Sequence, residues 1–157
     1  MELMLVLKLA LSMTHALAGA AWLGAMLYSL VVLHPRAAVF FGDIKELEAF
    51  LITVSAGARW KVLGACGLVF ASGMGLTIVN WPADASPAWQ GVVLLKLALF
   101  LAALALFGYT SWWLWPARVF AADEEIPLVQ KKFRRIGWSL IGLVGLNVAL
   151  GVAIHIR

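Results

Sequence analysis

The residues of this sequence that could do chemistry are His15, Lys96 and His155, three basic side chains inside long apolar segments. Lipid neither solvates such side chains nor offers them a partner, so an ionisable residue inside a membrane segment indicates a functional site. A neutral imidazole can bind a metal ion or a haem iron, and a lysine can pair with an anionic group of a ligand. The alternatives are a histidine that is only hydrogen-bonded to a neighbouring helix, a lysine that reaches lipid headgroups and, for His155 at the end of its helix, a position at the membrane interface.

The neighbours of these residues favour an inward position for His15 and Lys96. At about 100° per residue, Gly19, Trp22 and Met26 share a helical face with His15, and Phe100 shares a face with Lys96. The aromatic rings could wall a flat apolar ligand. The candidate cofactor-binding residues are therefore His15, Lys96, Trp22, Phe100 and His155, with His15 and His155 as candidate metal ligands.

The composition places these residues in a membrane protein. The chain has 157 residues, of which 64% are hydrophobic and 13% charged, against about 25% charged in a typical soluble domain. Nothing divides residues 1–157 into separate domains, so we expect one transmembrane domain with the lipid bilayer as its main partner. Four apolar segments predict an all-α, up-down four-helix bundle with helices at about 9–33, 62–79, 90–115 and 136–156.

The connections between these segments carry further signals. Proline disfavours helical geometry in the residue before it, so the first helix is expected to end at His34-Pro35-Arg36 and the third at Pro116. Within residues 37–60, apolar side chains recur at spacings of three and four, which predicts an amphipathic helix in the first connection. Small residues also repeat every four positions, as in Gly67, Ala71 and Gly75, and predict faces that pack against another helix.

The distribution of basic residues predicts the orientation. Lysine and arginine occur in the first and last connections, whereas the loop from Asn80 to Trp89 has none. The positive-inside rule then places both basic connections in the cytoplasm and both termini in the periplasm of a bacterial inner membrane. In this orientation His15 and Lys96 lie about 10 Å below the outer ends of two diagonal helices, where they could line one cavity.

Several classes of function are disfavoured. The net charge of +4 comes from the short connections and not from a patch with interleaved aromatic residues, so no nucleic-acid partner is expected. The single cysteine, Cys66, excludes an intrachain disulfide and a CxxC redox pair, and is expected to serve packing. No phosphate-binding glycine loop, nucleophile triad or carboxylate pair is present.

The first helix, with His15 followed by Trp22, Gly24 and Tyr28, resembles the four-helix proteins of the CopD copper-resistance and HemJ (protoporphyrinogen oxidase) group. A third helix that begins near Trp89 and contains Lys96 is similar to the same group. The resemblance to HemJ-type proteins implies that this histidine and lysine are the important polar residues and that haem b is bound. The arginine that HemJ-type proteins carry late in helix one is absent from Ser29–Leu33.

Three functions remain open at this point. The first is a haem-b-binding membrane redox protein, for which a haem-dependent oxidoreductase activity and an electron-transfer partner are implied. The second is a copper-handling membrane protein, in which His15 and His155 or methionines supply ligands from the periplasmic side. The third is an accessory subunit or homo-oligomer in which the small residues and tryptophans serve only packing.

Overall fold

Five helices make up the chain in the computed structural model, which describes residues 2–81 and 86–155, with the backbone alone at 154 and 155. They are α1 (Glu2–Phe41), α2 (Ile44–Ser55), α3 (Ala58–Val79), α4 (Pro87–Val119) and α5 (Ile126–His155). All but α2 are long and apolar enough to cross a membrane, and the described ranges contain no strand. The predicted all-α membrane bundle, with a short amphipathic helix after the first span, is confirmed.

Both α1 and α4 contain one π-helical turn shortly before a proline. The N–H of His34 donates to the carbonyl of Ser29, and that of Trp115 to the carbonyl of Thr110, five residues back in each case. Proline lacks an N–H and clashes with the carbonyl four residues before it, and the wider turn moves that carbonyl aside. The predicted ends at Pro35 and Pro116 are therefore wrong, because both helices continue through the proline.

The chain reverses after α1 through two glycines. Gly42, with φ +67°, ends α1, and Gly57, with φ +73°, separates α2 from α3; a side chain at either position would be strained. Between them, the Asp43 carboxylate caps α2 by accepting hydrogen bonds from the N–H groups of Lys45 and Glu46, at 2.7 and 3.2 Å. The amphipathic helix thus has defined ends.

The last helix begins at Ile126, ten residues before its predicted start. The apolar spacing of Ile126, Val129, Phe133 and Ile136 continues the inward face of the span, and these side chains are buried or half-buried. Lysine and arginine are good helix formers, so the basic run between these positions does not interrupt the helix. The prediction that Lys131 to Arg135 lie in a connection is wrong.

The core of the bundle receives a buried side chain from each spanning helix, and its members are Trp22, Cys66, Ala103, Leu140 and Val144. Helix α1 packs chiefly against α3 and α4 against α5, with a further contact between α1 and α5. The molecule is thus two helical hairpins with α1 and α4 on a diagonal. Large apolar side chains on the outer faces are exposed, as expected where lipid surrounds them.

The small residues do not pack as predicted. Gly67 and Ala71 are exposed, and a methyl group added at Gly67 would meet nothing within 4 Å. Only Gly75 of this stripe lies against another helix, where it contacts Leu11 of α1. The contact face of α3 instead includes Cys66 and Ser72, which are both buried.

Candidate functional site

His15 lies on the face of α1 that packs against α3. Its Nδ1 is 3.0 Å from the carbonyl oxygen of Val69 and 3.1 Å from the hydroxyl of Ser72. A carbonyl can only accept, so Nδ1 carries the hydrogen and donates it. The Ser72 hydroxyl donates its own hydrogen to the carbonyl of Leu68, at 2.5 Å. In the neutral imidazole this arrangement leaves Nε2 as the nitrogen without a hydrogen.

A glycine in α3 makes room for this ring. A Cβ added at Gly73 would stand 3.0 Å from Cε1 of His15 and 3.4 Å from Nδ1. A side chain there would displace the ring and disturb its hydrogen bond. The position of the imidazole is thus determined by α3 as well as by α1.

Lys96 is held in a similar way by the second hairpin. Its Nζ donates to the carbonyl of Asn147 at 3.3 Å, and Nδ2 of Asn147 donates to the carbonyl of Lys96 at 2.8 Å. A Cβ added at Gly151 would lie 2.7 Å from Nζ, so the ammonium group rests directly on the backbone of α5. The ion pairs recorded among the described residues, Lys45 with Asp123 and Arg118 with Glu48, do not involve Lys96.

Aromatic rings lie beneath both basic side chains. Phe100 meets the edge of Trp22, with ring centroids 6.4 Å apart, and stacks on Phe70 at 5.9 Å. Trp22 lies seven residues after His15 and Phe100 four residues after Lys96. With a rise of 1.5 Å per residue, the two basic residues are within about one helical turn of the same level. Their predicted role in binding a cofactor stays a prediction.

The helix starts change the predicted depth of His15. Helix α1 begins at Glu2, so His15 lies about 20 Å from the N-terminal end of this helix rather than about 10 Å. His155 falls in the last turn of α5, but its side chain is outside the described part of the structure. Its predicted role as a ligand is therefore neither supported nor contradicted.

His15 and Lys96 occupy equivalent positions of an internal repeat. Lys96 follows His15 by 81 positions, and the same offset relates Tyr28 to Tyr109 and Pro35 to Pro116. It also relates the two π-turns, Ser29–Leu33 and Thr110–Leu114. In each hairpin the basic side chain bonds to a main-chain carbonyl of the second helix and lies against a glycine of that helix. Sequence reasoning missed this repeat, although Tyr-Ser/Thr with a proline seven residues after the tyrosine was visible in both helices.

Comparison with known families gives one match. Residues 58–156 match the family described as Copper resistance protein D, which is more than half of the chain. The chain belongs to the copper resistance protein D family. The matched region contains the whole of α3, α4 and α5, including Lys96 and Asn147, whereas His15 precedes it. No curated protein and no solved structure matches the chain.

Membership of this family, together with four apolar helices, identifies a multi-pass membrane protein related to copper resistance. The CopD part of the resemblance noted from the sequence is confirmed. Among the described residues, no group of three or more histidine, cysteine, aspartate or glutamate side chains could hold a metal ion.

A second polar cluster lies at the other end of the bundle, where α2 packs. The Glu48 carboxylate accepts hydrogen bonds from Nε and Nη2 of Arg118 and from Nε2 of Gln130, the last at 2.8 Å. Glu48 and Arg118 are each 5% exposed, and the guanidinium also lies 4.8 Å from the ring centre of Phe133. Burial acts to raise the pKa of Glu48, but the hydrogen bonds from Arg118 and Gln130 outweigh it and hold the pKa below its usual value.

This cluster was not predicted, although a signal for it was present. Glu48 lies one residue after Leu47 and three before Leu51 on the amphipathic helix, so it belongs to the apolar face. A carboxylate on that face requires a buried partner. Its partner was hidden because Arg118 follows Pro116, where the helix was expected to end.

Proposed function

We propose that this protein handles copper in the membrane and that His15 binds the metal through Nε2. The observation that carries the proposal is the hydrogen bond from Nδ1 of His15 to the carbonyl of Val69. A histidine that binds a metal usually donates its other ring N–H to a carbonyl or carboxylate, which determines the tautomer and orients the ring. Imidazole is a suitable ligand for copper.

Copper in this proposal is cargo that the protein takes up and releases. A single imidazole provides one ligand, so the others come from methionine thioethers or from the carrier that delivers the ion. Soft thioethers favour Cu(I). Met26 shares the inward face of α1 with His15 and is half-buried, but it lies eleven residues, or about 16 Å, further along the helix, so it would bind copper at a separate position and not beside His15.

The orientation of the bundle in the membrane would determine the side from which copper reaches His15. The end of the bundle that carries α2 has most of the basic residues, including Arg36, Arg59 and Lys131. We propose that this end faces the cytoplasm of a bacterium and that both termini face the periplasm. Copper would then reach His15 from the periplasmic side of the inner membrane.

A second candidate function is a redox role with bound haem b. It is favoured by the rings of Trp22, Phe70 and Phe100, which lie together beneath His15 and Lys96. The imidazole would bind the iron, the rings would exclude water, and the Lys96 ammonium could pair with a propionate. A bound haem would supply one-electron chemistry.

One experiment separates these functions. The full chain is purified in detergent, its visible spectrum is recorded, and its affinity for Cu(I) is measured by competition with a coloured chelator. We expect a colourless protein that binds Cu(I), with the affinity lowered at least tenfold by His15→Ala and unchanged by the matched variant His34→Ala. A Soret band that His15→Ala removes would favour the haem function. Equal Cu(I) affinity of all three proteins would contradict the copper role of His15, and with no Soret band in the wild type it would contradict both roles.

A further inference from the structure

A cavity of about 430 Å³ lies at the α2 end of the bundle, between the end of α1, the inner face of α2 and the first turns of α5. Leu30 of α1 and Leu47 and Leu51 of α2 give it an apolar wall. On the opposite wall, α5 presents Lys131 and Arg134. The cavity thus has an apolar side and a basic side.

The charges around this cavity do not cancel. The Arg118 guanidinium, which also lines the cavity, is neutralised by Glu48. Lys131 and Arg134 are exposed, and neither belongs to an ion pair recorded in the described ranges. They lie three positions apart on α5, so both side chains extend from the same helical face. Two positive charges at the opening therefore favour an anionic ligand.

The π-turn of α1 contributes to the shape of the cavity. Leu30 lies inside the turn Ser29–Leu33, and His34, another lining residue, follows it directly. Leu30 also packs against α5 so closely that a Cβ added at Gly137 would stand 2.7 Å from its Cδ1. The extra residue in the turn rotates the following segment by about 100°, which places His34 in the cavity wall. The cavity is thus part of the fold and does not depend on a flexible loop.

We propose that this cavity binds the phosphate headgroup of an anionic phospholipid. Lys131 and Arg134 would contact the phosphate, because guanidinium groups match phosphate oxygens and ammonium groups supply a point charge. The leucines of α1 and α2 would contact the first carbons of an acyl chain. A soluble phosphate ion could contact only the basic wall of the cavity, whereas a phospholipid could contact the apolar wall as well. Basic pockets between membrane helices are known to bind anionic lipid headgroups.

This lipid would contact three helices at once. Its headgroup would contact α5 while its acyl chain contacts α1 and α2, so a bound lipid would resist separation of α2 from the bundle. This inference is independent of the copper proposal, because the cavity is at the opposite end of α1 from His15. A protein that never binds copper could still bind the lipid here.

The test counts lipids bound to the full chain in detergent by native mass spectrometry, with phosphatidylglycerol or phosphatidylcholine added at equal concentration. We expect one retained phosphatidylglycerol per chain and no retained phosphatidylcholine. The variant Lys131→Gln/Arg134→Gln should lose it. The matched control Lys132→Gln/Arg135→Gln removes the same two charges from the same helix, one position later and outside the cavity lining, and should keep it.

Two results would overturn the proposal: retention of the lipid by Lys131→Gln/Arg134→Gln, or equal loss in both double variants, which would indicate a general attraction to basic surface. All four residues are exposed, so both variants should fold, and circular dichroism with gel filtration checks this.

Thermal unfolding then distinguishes a bound phospholipid from a bound phosphate ion. Short-chain phosphatidylglycerol should raise the unfolding temperature of the wild type, and an equal rise with inorganic phosphate at the same concentration would contradict the lipid assignment.

Discussion

Glu48 on α2 and Arg118 at the end of α4 form an ion pair that is almost completely withdrawn from solvent, although the two residues are 70 positions apart in the chain. Taking two charges out of water is costly and is offset only by their attraction and by further hydrogen bonds. Gln130 supplies such a bond from α5. The cluster therefore joins α2 to both helices of the second hairpin.

Removal of one partner from this pair should destabilise the protein strongly. Arg118→Met leaves the Glu48 carboxylate buried without its cation, and we expect a loss of about 3 to 5 kcal/mol in the free energy of unfolding. The double variant Glu48→Leu/Arg118→Met should recover most of this loss. Unfolding in a denaturing detergent measures both. Lys45→Ala, which breaks the exposed pair with Asp123, serves as the control and should change little.

Acid should weaken the same cluster. The pKa of Glu48 is held below its usual value in the folded protein because the bonds from Arg118 and Gln130 outweigh burial. Its contribution to stability is thus complete above the usual glutamate pKa of about 4.3 and is lost as the pH falls through the lower folded pKa. As the pH is lowered below about 4.3, the usual glutamate pKa, the unfolding temperature of the wild type should fall more than that of Glu48→Gln. The exposed neighbour Glu46→Gln should behave like the wild type.

The glycine beneath His15 offers a test of the imidazole's orientation. Gly73→Ala places a methyl group against Cε1 and should break the hydrogen bond from Nδ1 to Val69. Groups that orient a metal ligand typically contribute about 10- to 100-fold to metal affinity, so we expect weaker Cu(I) binding within that range. Gly67→Ala, on the open face of the same helix, should leave the affinity unchanged. Equal affinities for both variants would contradict a metal-binding His15.

The orientation can be checked by labelling cysteines in a Cys66→Ala background. Ala88 lies at the start of α4 and Glu124 in the connection before α5, and both are exposed. A maleimide that does not cross membranes should label Ala88→Cys in spheroplasts, and Glu124→Cys only after the membrane is permeabilised. The reverse pattern would place the termini in the cytoplasm and copper entry on the other side.

The sequence predicted those features that depend on hydropathy and helical periodicity. The four apolar segments of the sequence predicted the four membrane-spanning helices. The 3.6-residue helical period placed Trp22 on the inward face of α1, where its side chain is buried. The helix ends were less accurate. Pro35 and Pro116 are expected to end a helix unless a π-turn, which adds one residue to the helical turn, precedes them. No simple sequence pattern predicts a π-turn.

The partners of His15 and Lys96 could not be predicted for a different reason. Val69 offers a main-chain carbonyl, which every residue has, so its side chain carries no information about the bond. The pairing of Glu48 with Arg118 needs both the continuation of α4 past Pro116 and the position of α2 against it. Contacts of this kind depend on three-dimensional packing, which the local spacing of residues does not determine.

The offset of 81 positions between the hairpins has a consequence for the ancestry of the fold. Two copies in the same orientation would be related by a pseudo-two-fold axis along the membrane normal, the arrangement found in transporters with parallel repeats. A single hairpin leaves one face of each helix without a protein partner, so an ancestral half-length chain would have needed a second copy to complete the bundle. In such a symmetric dimer both copies would have carried the same inward residue, and only fusion of the two copies into one chain would have allowed these positions to differ, as His15 and Lys96 do.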